Sequence, residues 1–143
     1  MMRRFPKACF GVFAFCASAA IFAAPNAIAN DAPSAETLIN SPLEAIGSHH
    51  ALVTRVTIPA NLSLPPHAHP SEEFLYVISG ETTLAVEGED AQVISAGMAA
   101  KIPARALHVA STGAMTAEVI VFRVHPNGQP IRIEGKNTNG SNE

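Results

Sequence analysis

The chain has 143 residues, two cysteines and a formal net charge of −3, with 48% hydrophobic and 6% aromatic residues. That length allows one domain and little more. The acidic balance argues against a nucleic-acid partner, which would require a basic patch.

Residues 1–29 read as a secretory signal peptide. Arg3, Arg4 and Lys7 form a positive n-region, CFGVFAFCASAAIFAA is uncharged and apolar, and Ala27-Ile28-Ala29 offers a small-x-small cleavage pattern. A retained membrane anchor is the competing reading, but the apolar run is near the short end for a span. The Arg3-Arg4 pair is weak evidence for twin-arginine export. Cleavage before Asn30 would send the protein to the periplasm or outside the cell. It would remove both cysteines and all three leader charges, leaving a net charge of about −6. The mature chain would then have no disulfide despite its oxidising destination, and would rely on its core and on any metal it binds.

Residues 30–48 are expected to be a lead-in segment, with the stretch to Asn40 polar and flexible. Residues 49–134 then hold a series of short β-type runs: 51–58, 73–79, 82–87, 91–95, 98–103, 107–111, 117–125 and 129–134. Gly80, Gly88, Gly97, Pro103, Gly113 and Pro126-Asn127-Gly128 punctuate them. Such spacing predicts an all-β barrel or sandwich. The polar, Gly- and Asn-rich 135–143 is expected to be a flexible tail.

The stretch PPHAHPSEEFLYVISG, residues 65–80, carries the chemistry. Side chains on a strand alternate faces, so His67 and His69 point the same way when the segment is extended. Pro66 and Pro70 favour extended conformations in the residues before them. Glu73 opens the next strand, with Leu75 and Val77 on its face. Two imidazoles beside a carboxylate suit iron, manganese, copper, nickel or zinc, although a His-x-His pair also occurs as exposed residues with no role. Glu72, one residue from Glu73, is expected to face solvent.

A further histidine, His108, lies in GMAAKIPARALHVAST. Here the chain resembles the cupin superfamily. In the first cupin motif, G-x5-H-x-H-x3,4-E-x6-G, His67, His69, Glu73 and Gly80 match, and Asn61 replaces the opening glycine. In the second, G-x5-P-x-G-x2-H-x3-N, Gly97, Pro103 and His108 match, while Arg105 and Thr112 replace the second glycine and the asparagine. The likeness spans roughly residues 50–125. It implies a single-domain cupin jelly-roll barrel whose metal is held by His67, His69, Glu73 and His108. The metal would be divalent: iron, manganese, nickel or copper, less often zinc. Four protein ligands would leave positions open for water, dioxygen or substrate. The resemblance further implies that Glu73 can act as a base, as in quercetin dioxygenase-like cupins.

Three roles fit this reading: a metal-dependent enzyme on a small organic substrate, a metal- or ligand-binding module, and a metal-free barrel. By strand parity Leu75, Val77, Leu84, Val86, Met98, Ala100 and Ile102 face inward. Ile120 and Phe122 are candidate pocket residues, with Phe122 placed against substrate. Arg105, near the barrel mouth if the resemblance holds, is a candidate partner for a substrate carboxylate; a solvated loop arginine is the alternative. The opposite face of 73–79 carries Phe74, Tyr76 and Ile78, which predicts a covering N-terminal strand or a partner subunit in a homodimer. No phosphate-binding glycine loop or supportable Ser-His-Asp arrangement occurs, and the mature chain has no thiol chemistry.

Overall fold

A computed structural model describes residues 32–135; the expected signal peptide at 1–29 and all but the first residue of the expected tail lie outside them. The described residues form ten strands and no helix. In chain order they are β1 (Ser34–Pro42), β2 (His49–Ile58), β3 (His67–Ala68), β4 (Glu73–Ser79), β5 (Glu81–Val86), β6 (Gln92–Ser95), β7 (Ala99–Ile102), β8 (His108–Ser111), β9 (Ala117–Pro126) and β10 (Ile133–Glu134). Two five-stranded sheets, ordered β1-β2-β9-β4-β7 and β10-β3-β8-β5-β6, make up the jelly roll, and every pairing is antiparallel.

The strands follow the period-two pattern expected of sheets with one dry face. On β4, Glu73, Leu75 and Val77 are buried while Phe74, Tyr76 and Ile78 are exposed. On β5, Thr82, Leu84 and Val86 turn inward. Leu75, Val77, Leu84, Val86, Ile94, Ile102, Val119 and Val121 form the core between the sheets. Glycine is required between β4 and β5: Gly80 has φ +71°, and a Cβ there would lie 2.2 Å from the Thr116 carbonyl oxygen.

Three expectations are corrected. Residues 34–42, expected within a flexible lead-in, form β1, which pairs along most of β2. Backbone pairing orders this polar segment although all nine side chains are exposed. Because β1 sits at the far end of its sheet from β4, it does not cover Phe74, Tyr76 and Ile78. Met98 is exposed rather than inward, because β7 begins only at Ala99 and Met98 belongs to the turn after Gly97. Finally, the buried face of β9 is Ala117, Val119, Val121, Arg123 and His125. Ile120 and Phe122 take the other face, where Phe122 packs against Phe74 with ring centroids 6.2 Å apart.

Candidate metal centre and its cavity

The site lies where the two sheets approach at one end of the barrel. β3 and β8 place His67 directly opposite His108. Residues paired across neighbouring strands share a face, so both rings enter the barrel. His69 follows just beyond β3, and the amide of Arg105 donates to its carbonyl at 2.8 Å. Glu73 starts β4 in the facing sheet. All four side chains are buried.

Backbone carbonyls orient the three imidazoles. His67 Nδ1 lies 2.9 Å from the Pro65 oxygen, His69 Nδ1 2.5 Å from the Ile131 oxygen, and His108 Nδ1 3.0 Å from the Ala106 oxygen. In His67 and His108 an Nδ1–H donated to the carbonyl leaves Nε2 as the free lone pair, the tautomer used by metal ligands whose outer partner fixes ring orientation, whereas His69 Nε2 faces the Glu73 carboxylate. Ligand atoms of His67, His69 and His108 all fall within 4.8 Å of one another. Nε2 of His108 is buried without any partner. A buried acceptor left empty is costly, and a cation would remove that cost.

Glu73 approaches His69 from the opposite sheet. Its Oε2 lies 3.0 Å from His69 Nε2. Adjacent ligands on an octahedral ion with bonds of about 2.1 Å stand about 3 Å apart, so this spacing fits a shared metal as well as a hydrogen bond. The three histidines therefore fit a divalent metal, with the Glu73 carboxylate beside one of them.

Protonation agrees with that fit. Burial lowers the His67 pKa to about 4, against the carbonyl of Pro65, which raises it; the neighbouring basic groups His108, Arg132 and His69 further disfavour a proton on the ring. Burial also lowers that of His108. Both rings are neutral and ready to ligate at neutral pH. For Glu73, burial alone would raise the pKa; the hydrogen bond from His69 and the charges of His69 and Arg123 outweigh it, and the carboxyl stays ionised.

Arg123 is the residue that sequence reasoning missed. It is the direct pairing partner of Glu73 across β9 and β4. It is buried, with Nη1 3.4 Å from Glu73 Oε2. Nη1 also lies 2.5 and 3.0 Å from the two ring nitrogens of His69. Those nitrogens point apart, so the guanidinium packs on the ring rather than donating to both. The signal was the parity of AEVIVFRVH, which puts either Ile120 and Phe122 or Arg123 and His125 inside. Hydropathy favours the first set; the structure takes the second.

Arg105 and Phe122, the two expected substrate contacts, stand apart from this group. Both are exposed and neither lines the cavity beside the histidines. Glu72 is a surface residue paired with Lys101, as expected. The cavity has a volume of about 350 Å³. Leu75, Val121 and Ile131 contribute to its apolar wall, and His67, His69, Glu73, Arg123 and Arg132 are its ionisable groups. The start of β1, Ser34 and Ala35, closes part of its rim.

The backbone supports the motif resemblance at the departures themselves. Asn61 (φ 56°) and Arg105 (φ 63°), which replace the motif glycines, are the two non-glycine residues with positive φ among the described residues. Gly80 and Gly97 also have positive φ. Thr112, at the motif asparagine, ties down the loop through its hydroxyl, which accepts from the Leu62 amide at 3.2 Å and donates to the Pro59 carbonyl.

Comparison with known proteins agrees with this architecture. The Cupin domain family model matches residues 54–123. The DMSP lyase DddQ from Ruegeria pomeroyi DSS-3 superposes with a TM-score of 0.62 at 20% identity, covering 76% of this chain and 54% of that one, so the chain spans about half the lyase's length. An RmlC-like cupin with a double-stranded β-helix fold from Methanocaldococcus jannaschii gives 0.56 at 19% identity, over 81% and 91% of the two chains. The polyketide cyclase RemF from Streptomyces resistomycificus gives 0.56 at 24% identity, over 71% and 70%. At these identities the likeness is one of fold. No curated protein matches the sequence.

Proposed function

The chain belongs to the cupin superfamily, and from that premise we propose that it is a metal-dependent enzyme, dioxygenase-like in its chemistry, acting on a small organic substrate. The observation that carries this reading is a group of three buried, carbonyl-oriented imidazoles with one ionised carboxylate, of which His67, His69 and Glu73 line an apolar cavity. A purely structural metal site would be closed; this one adjoins space for a ligand.

His67, His69, His108 and Glu73 would hold the metal. Iron, manganese, nickel or copper suits such a set, and zinc also fits. When bound, the metal would supply Lewis acidity and a place for dioxygen or a chelating substrate oxygen. The chain's own residues do the rest. Leu75, Val121 and Ile131 exclude water and orient the apolar part of a substrate. Neutral His67 and His108 keep Nε2 available. The hydrogen bond from His69, with the charges of His69 and Arg123, keeps Glu73 ionised, so that its carboxylate can take a proton from a substrate group presented in the cavity. Relatives of this fold include a DMSP lyase and a polyketide cyclase, which supports catalysis on small molecules as the class of activity.

The leader pattern at 1–29 supports action after export, in the periplasm or outside the cell. The outer face of β4 and β9, with Phe74, Tyr76, Ile78 and Phe122 each 37–49% exposed, supports a homodimer.

The test is to purify residues 30–143 without a metal-chelating tag and measure bound metal by mass spectrometry, beside His67→Ala and His108→Ala. Near-stoichiometric metal in the parent, lost in both variants, is expected. Dioxygen uptake or substrate loss that requires His108 is expected next. Stoichiometric binding without turnover would instead make the protein a binding module, and failure to take up any of the five metals would end the metal reading.

A further inference from the structure

Charge in the cavity does not balance. Its lining holds two guanidinium groups, Arg123 and Arg132, but one carboxylate, Glu73. Arg132 stands nearer the surface, with Nε 2.8 Å from the exposed Glu134 carboxylate and Nη2 donating to the Pro65 carbonyl at 3.1 Å. Arg123 is 5% exposed, so water does not compensate it. Its contact with Glu73 is a single long one at 3.4 Å, through Nη1. Nε of Arg123 is buried with no partner at all.

A guanidinium offers five donors in a planar fork. One placed only to hold Glu73 would meet it with two parallel bonds, the geometry that Arg–carboxylate pairs prefer. Here Nη1 is shared between Glu73 and the His69 ring and Nε has no partner, inside a barrel, at the wall of a cavity. A divalent metal on the histidines would add two more positive charges within the same space. Desolvated charge of one sign is expensive unless a counter-charge is brought in. Among the described residues the cavity wall offers no second acid to supply it.

We infer that the missing counter-charge comes with the ligand: the cavity takes a small organic carboxylate, its anionic end against Arg123 and its apolar body along Leu75, Val121 and Ile131. A planar carboxylate suits one guanidinium fork. A phosphate is a poorer match, because no glycine and no helix N-terminus lines this cavity to supply further donors. Arg132, at the rim, draws the anion in. This inference rests on the cavity being the substrate site of the proposed enzyme, and it replaces Arg105 by Arg123 as the carboxylate partner.

Benzoate and its neutral counterpart benzamide are suitable probes, titrated calorimetrically into metal-free and metal-loaded protein with the metal content of each sample measured. Benzoate is expected to bind at least about tenfold more tightly than benzamide, in metal-free protein as well, because the charge-assisted fork needs no metal. Arg123→Gln should weaken benzoate about tenfold or more and leave benzamide unchanged; Arg123→Lys should recover part of the loss, keeping the charge without the fork. Arg105→Gln, outside the cavity, should change neither. Circular dichroism establishes that each variant is folded, and if Arg123→Gln does not fold, Arg123→Lys carries the comparison. Equal binding of the two probes, binding of neither, or benzoate affinity indifferent to Arg123 would each overturn the proposal. Charge selectivity in a protein that takes up no metal would leave the anion site standing and remove the metal reading. Stoichiometric metal without charge selectivity would do the reverse.

Discussion

His67 shows what burial does to a single titratable group. Unfolded, its imidazole has the ordinary value of 6.5; folded, burial lowers it to about 4. Between those values the unfolded chain binds the extra proton, so stability is fully present above pH 6.5 and falls as the pH drops toward 4. At about 1.4 kcal/mol per pKa unit, the loss from His67 is about 3 kcal/mol. His108 adds to it in the same direction. Urea unfolding of metal-free protein at pH 7 and pH 4.5 should show the drop, and His67→Ala should flatten it; an equal slope in that variant would refute the assignment. Arg105 offers a second test. A non-glycine residue in the left-handed region costs roughly 1–2 kcal/mol, and glycine's extra unfolded-state entropy offsets about half of that. Arg105→Gly should therefore stabilise the protein by about 0.5–1 kcal/mol, read from the urea midpoint. A midpoint that falls would mean the arginine side chain makes contacts that outweigh the strain. The site residues were legible where the spacing carried them: His67, His69 and His108 lie within reach of one ion, and Glu73 stands against His69. Arg123 was not, since nothing local separates a solvated arginine on a strand from one turned into the barrel.

Turn chemistry governs the strands. Gly80 and Gly88 flank β5, and both have positive φ, at 71° and 85°. Backbone strain is common to both, but steric contact is not: a Cβ at Gly80 meets the Thr116 carbonyl oxygen, while nothing lies within 4 Å of one at Gly88. Gly80→Ala should cost about 2–4 kcal/mol and Gly88→Ala about 1 kcal/mol. Equal midpoints in parallel denaturant titrations would show that strain alone matters at Gly80. Strand positions between such turns were readable because breakers and alternation mark them. β1 was not, because its polar side chains carry no burial signal and its order comes from backbone pairing with β2 and from ion pairing, as between Arg55 and Glu36 at 3.6 Å. β9 was located but turned over: it is apolar enough on both faces to mislead a choice made on hydropathy.

For the whole molecule, the outer surface of β4 and β9 bears on assembly. Phe74, Tyr76, Ile78 and Phe122 sit together on a face that no other described element covers. If the homodimer forms there, light scattering behind gel filtration should give twice the monomer mass. Tyr76→Glu combined with Phe122→Glu should shift it to monomer without unfolding, because a charge buried at an interface without a partner is strongly disfavoured. Parent protein that stays monomeric at high micromolar concentration would rule the interface out. Metal should stabilise the assembled protein by mass action, so adding a chelator should lower the melting temperature of the parent and leave His108→Ala unaffected.

By itself the sequence determined the approximate place of most strands, the sharp turns and the three histidines that come together. These depend on period-two alternation, on left-handed backbone and on short spacings, which are properties of neighbours along the chain. The tertiary structure decided which face of β9 enters the barrel, that the polar 34–42 becomes a strand, and that Glu73 meets Arg123, fifty residues away, across one rung of an antiparallel pair. Strand registry is set by the closure of two whole sheets around one core, so no local pattern could have announced a guanidinium beside His69 and Glu73.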